Sequence, residues 1–98
     1  MPKVRIEKSL DGKSPDDCFN FASTAFLNAG FTIFKIREIA WLVIAHRKEN
    51  NILIEASIGA RPPGNCAQVV VSVSSTEIEK DVLQAHADNI LLELEKLL

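Results

Sequence analysis

AWLVIAH, residues 40 to 46, is the stretch on which the fold turns. It is far too short to cross a bilayer as a helix, which takes ~20 apolar residues. Both of its alternating positions are apolar, so as a strand it needs cover on both faces and belongs in the middle of a sheet. Working outward, apolar and polar residues alternate from Phe31 to Ser74 and predict four strands, at 31–37, 40–47, 51–58 and 67–74. Turns fall at Glu38 and Ile39, at 48–50, and within ARPPGNC, residues 60 to 66. Connections this short imply an antiparallel meander.

Further out, Val4, Ile6 and Leu10 alternate with Arg5, Glu7 and Ser9 as a half-buried strand, with Lys8 interrupting the apolar side. Asp11-Gly12-Lys13 reverses the chain. Ser14 as N-cap, Pro15 and the acidic pair Asp16 and Asp17 then start a helix that Gly30 ends. Its apolar stripe is Cys18, Phe19, Phe21, Ala22, Ala25, Phe26 and Ala29, and Leu27 lies off it. A second amphipathic helix follows Ser75, with Thr76 and Glu79 in the positions of a capping box. Leu83, Ala87, Ile90, Leu94 and Leu97 form its stripe, and Leu92 points away.

The order βαββββα over residues 1–98 gives one α+β domain. It is a two-layer sandwich in which a mainly antiparallel five-stranded sheet carries both helices on one face. This order resembles the β-α-β(4)-α architecture of the TATA-binding-protein-like superfold, a group that takes in helix-grip lipid binders, kinase-associated membrane-binding domains and the last domain of the phosphohexomutases. The sugar-phosphate loop of that last domain, Arg-Pro-Ser-Gly-Thr-Glu-Pro, is similar to 61–67 at Arg61, Pro62 and Gly64. Where it has Ser, Thr and Glu, this chain has Pro63, Asn65 and Cys66, which removes the hydroxyl donors that hold phosphate. What the resemblance leaves is an anion contact from Arg61 and Asn65. Read as a loop alone, Pro-Pro-Gly-Asn is a turn between two strands.

A charge of −2 over 98 residues and a hydrophobic fraction of 47% describe an ordinary globular chain. That balance argues against nucleic acid as a partner, since phosphate binding rests on clustered Lys and Arg. Lys35, Arg37, Arg47, Lys48 and Arg61 nevertheless gather in mid-chain, and acidic residues crowd the last quarter. The opening MPKVRIEKSL lacks the apolar run of a secretory signal, and two cysteines in so large a domain read as free thiols, so the expected setting is cytoplasmic. Neither Cys18 nor Cys66 has a histidine placed to activate it, no metal-ligand spacing is present, and Asp16 and Asp17 are explained by the helix start. No cofactor and no enzymatic activity are expected.

The doubly apolar strand points to function on the sheet face that the helices leave open, where Trp41, Lys35 and Arg37 are candidate binding residues together with Arg61 and Asn65. The first expectation is a homodimer or protein partner over that face. The alternative is a helix-grip carrier that holds an apolar or phosphorylated small molecule between the last helix and the sheet. Weak binding of a nucleic acid or anion is the third.

Overall fold

In a computed structural model of the protein, residues 2–61 and 66–98 are described, with the side chains of 61, 66 and 67 excepted. Eight elements follow one another: β1 (Lys3–Asp11), α1 (Pro15–Asn28), β2 (Thr32–Arg37), the short 3-10 turn η1 (Glu38–Ala40), β3 (Leu42–Glu49), β4 (Ile52–Arg61), β5 (Cys66–Ser75) and α2 (Lys80–Leu97). The five strands form one sheet in the order β1-β5-β4-β3-β2, antiparallel throughout, and both helices lie on one face, as the sequence leads one to expect.

Local chemistry explains most boundaries. The Ser14 hydroxyl accepts from the Asp17 N–H at 3.1 Å, and the Asp17 carboxylate accepts from the Ser14 N–H at 3.1 Å, so α1 starts on a complete capping box. Asn50 and Asn51, at φ 51° and 66°, make the two-residue turn between β3 and β4, where left-handed geometry matches the twist of the strands. Gly30, at φ 85°, releases the chain from α1 into β2.

The second capping box is not formed. Glu79 is the N-cap of α2, no side chain bonds the cap, and Thr76 lies in a bend before it. Sequence spacing alone marks Thr76 because the local pattern cannot show where β5 ends.

The core lies between sheet and helices. α1 sets Cys18, Ala22, Ala25, Phe26 and Ala29 toward Val43, Ala45, Ile54, Ala56 and Ile58, and so many alanines let helix and sheet approach closely. α2 sets Leu83, Ala87, Ile90 and Leu94 over the β1–β5 side, where Val69, Val71 and Val73 are fully buried and Val4, Ile6 and Leu10 half-buried. Lys8 shares the helix face of β1 because its ammonium pairs with Glu95 of α2. The break in the alternation of β1 is thereby explained.

Candidate functional site

Two surfaces compete as the functional site: the layer between α2 and the sheet, and the open face opposite it. The first is apolar almost throughout. Among the described residues Ser75 is the single buried polar side chain, and its hydroxyl donates to the Leu53 carbonyl at 3.0 Å. Among the described residues, polar contacts hold α2 only at its periphery. They are Lys8 with Glu95, Lys13 Nζ donating to the Leu98 carbonyl at 2.8 Å, and His86 Nε2 at 3.4 Å from Glu49 Oε1. The ring of Phe31 meets His86 edge-on, with centroids 5.8 Å apart, beneath the same stretch of helix.

The open face carries Leu42, Ile44, Leu53 and Val70, with Arg5, Lys35, Glu55 and Gln68 among them. Ile33 is not part of it. A bulge between Ile33 and Lys35 turns Ile33 to the helix side opposite Ala45 and puts Phe34 on the open face instead. There Phe34 stacks on His46 with centroids 4.3 Å apart, and His46 Nε2 lies 3.5 Å from Glu55 Oε2. That Nε2 is enclosed and makes no hydrogen bond, so the approach to Glu55 is a contact between charges only when the imidazole is protonated. Beside this group a shallow hollow of about 300 Å³ has Leu42, Gly59 and Val70 for its floor and Arg5, Ser57 and Ser72 at its rim. Gly59 makes the depression, because it stands between Leu42 and Val70 without a side chain.

Of the candidate residues named from sequence, Trp41 and the pair Lys35 and Arg37 are the ones whose side chains are described, and they lie on different faces of the sheet. Trp41 turns to the helix side, where its indole N–H donates to the Asp16 carboxylate at 2.8 Å. Lys35 and Arg37 lie on the edge strand β2, opposite Ile44 and Leu42 of β3. Asn65 lies outside the described residues, and only the backbone of Arg61, at the end of β4, is described. Sequence reasoning missed Phe34 and His46 as a stacked pair, and Gly59 as a floor; an isolated glycine within a strand pattern was the one readable signal.

Cys18 is fully buried on α1. Burial pushes its thiol above the ordinary value of 9.0, and the Asp17 carboxylate adds to the shift, so it remains a small protonated hydrophobe. Among the described residues no three His, Cys, Asp or Glu side chains are grouped as metal ligands, and no helix is long and apolar enough to cross a membrane.

Neither a protein-family description nor a curated protein matches the sequence. Solved structures do match in shape. A protein from Nitrosospira multiformis superposes with a TM-score of 0.67 at 14% identity, over 95% of this chain and 93% of that one. A START superfamily protein from Mycobacterium smegmatis gives 0.64 at 9% identity, over 97% and 92%. The major latex-like protein of Panax ginseng gives 0.60 at 12%, over 99% and 95%. At these identities the likeness is one of fold alone, an α+β sheet-and-helix architecture. It adds no support to the resemblance to TATA-binding-protein-like domains drawn from the order of elements.

Proposed function

We propose that the protein binds and carries a small apolar molecule in the helix-grip manner, held between α2 and the sheet. The carrying observation is the layer itself: a long helix closed onto β1 and β5 through a stripe of apolar side chains, with its polar attachments, among the described residues, at the rim. The likeness in fold to a START superfamily protein and the lipid binders among helix-grip domains support the same reading. Side chains already fill this layer, so uptake requires α2 to lift. The exposed ion pairs cost at most ~1 kcal/mol each to break. Baring Leu83, Ile90 and Leu94 costs about 1.5–3 kcal/mol apiece. The apolar term dominates, so lifting becomes favourable only when the incoming molecule covers those side chains again. A polar ligand cannot do that.

Native mass spectrometry of protein purified without detergent tests the proposal. The expected result is a small-molecule mass on the chain that organic solvent extracts, or saturable uptake of anilinonaphthalene sulfonate by the extracted protein. A bare chain that takes up none of this probe overturns it.

A second reading keeps the open face as the site. Leu42, Ile44, Leu53, Val70 and Phe34 make an apolar strip there, and a second copy or another protein laid over it would shield them. Light scattering at micromolar concentration tests it. A dimer that Leu42→Asp dissociates is the expected outcome, and a strict monomer that recovers no partner contradicts it.

A further inference from the structure

The two edges of the sheet differ in what they offer a further strand. β2 is 6 residues long and carries the bulge between Ile33 and Lys35, which twists it away from a regular partner. β1 is 9 residues long and pairs with β5 from Lys3 to Asp11 without a break. It ends the strand order, so its outer side is a straight row of backbone donors and acceptors. Such an edge is a template for another strand unless its side chains forbid one.

The side chains of β1 are balanced in charge. Lys3, Arg5, Glu7, Ser9 and Asp11 stand on the open face, while Val4, Ile6 and Lys8 share the helix face with Val73, Val71 and Val69. Arg5 and Glu7 already attract each other along the strand, 2.7 Å apart. Lys8 is an inward charge of the kind that ordinarily blocks an edge, but Glu95 neutralises it. What the edge excludes is therefore a strand of unmatched pattern, not every strand.

The strand that matches is β1 itself. When two copies pair antiparallel about a twofold axis normal to the sheet, opposed residues share a face and one residue at the axis meets its own copy. The axis can pass at any residue from Arg5 to Ser9 and leave a useful overlap. At Arg5, Glu7 or Lys8 that charge opposes itself, and at Ser9 the opposed pair is Glu7 with Asp11. Like charges directly opposite are destabilising. At Ile6 no like charges are opposed: Ile6 meets Ile6, Arg5 meets Glu7 on both sides of the axis, Lys3 meets Ser9 and Val4 meets Lys8. Arg5 and Glu7 of the two copies then form a checkerboard in which each charge has opposite neighbours along and across the strands. The overlap, Lys3 to Ser9 of each chain, is as long as an ordinary strand.

We propose that β1 is the contact of a symmetric homodimer, in which two copies pair their β1 strands antiparallel about Ile6 and join their sheets into one. The axis leaves the helices of both copies on one side and the open face continuous on the other. Main-chain hydrogen bonds hold the pair, and the Arg5–Glu7 checkerboard sets its register. The contact lies at the sheet edge, apart from the open face and from the α2 layer, and needs no ligand.

Light scattering and charge reversal test it. The parent is expected to be a dimer at micromolar concentration. Glu7→Arg alone and Arg5→Glu alone should each weaken dimerisation about tenfold or more, since each sets like charges opposite at two symmetric positions. The exchange of both, Arg5→Glu with Glu7→Arg, should restore it, with circular dichroism unchanged throughout. Mild oxidation should link Ile6→Cys chains to each other, because opposed Cα atoms lie about 5 Å apart. It should leave Val4→Cys chains unlinked, because the two copies of that position are about 14 Å apart, beyond disulfide reach. Leu42→Asp, on the open face, should dimerise as the parent does. A strict monomer, a dimer indifferent to both single reversals, a reversal that the exchange does not rescue, linkage of Val4→Cys in place of Ile6→Cys, or a dimer that Leu42→Asp dissociates would each overturn the proposal.

Discussion

At the scale of single residues, the most constrained position is Gly30. Its φ of 85° disfavours any L side chain, and a Cβ placed there would lie 2.7 Å from Arg47 Nη1. That guanidinium donates to the Ala29 carbonyl at 3.2 Å and pairs with Glu49 at 3.2 Å, tying the end of α1 to β3. Gly30→Ala should therefore cost about 1–3 kcal/mol, from backbone strain and a displaced Arg47. An unchanged urea midpoint would show that the arginine clasp yields without loss. Cys18 supplies a pH test. Its thiol titrates above 9.0 in the folded chain, so at alkaline pH the unfolded state releases a proton that the native state keeps. The stability it contributes is complete below pH 9 and is lost as pH rises from there toward the folded value. Urea midpoints across the alkaline range should fall, and Cys18→Ala should flatten that fall while lowering stability at every pH. Parallel curves for the two proteins would contradict the assignment.

Among the elements, α2 is the one whose attachment matters most, and its start is its weak point. Glu79 caps it without a side-chain bond. Replacing Glu79 with Ser, which accepts from an N–H of the first turn, should raise stability by about 0.5–1 kcal/mol in thermal unfolding. No gain would mean that the bends before α2 already satisfy those donors. The elements also show what was legible beforehand. Ser14-Pro15-Asp16-Asp17 announces α1 because capping is local chemistry, and the fold order follows from such signals. Lys8 could not be placed from its neighbours, since its partner Glu95 lies 87 residues away. Nor could the bulge at Ile33 and Lys35, which reverses the facing of Ile33 without any mark in residue type. That shift is why Phe34, rather than Ile33, lies beside His46. The apolar run 40–46 places Trp41 within a strand. It sits instead in a left-handed corner fixed by Asp16, a contact only tertiary structure creates.

For the whole molecule, the division of labour follows from the sheet order. β1 and β5 lie under α2, β2 forms the far edge, and the open face lies between the two edges on the other side. Helical and strand periodicity reveals these layers. It does not reveal which layer parts to admit a ligand, because a filled core and a ligand-binding layer use the same apolar residues. The account depends on the α2 layer being that place, and mapping of backbone amide shifts by NMR during titration with anilinonaphthalene sulfonate is the most direct test. The expected result is saturable shifts centred on Leu83, Ala87, Ile90 and Leu94 of α2 and on Val69, Val71 and Val73 beneath it. Shifts confined to Leu42, Gly59 and Val70 on the open face, or no saturable change anywhere, would contradict it.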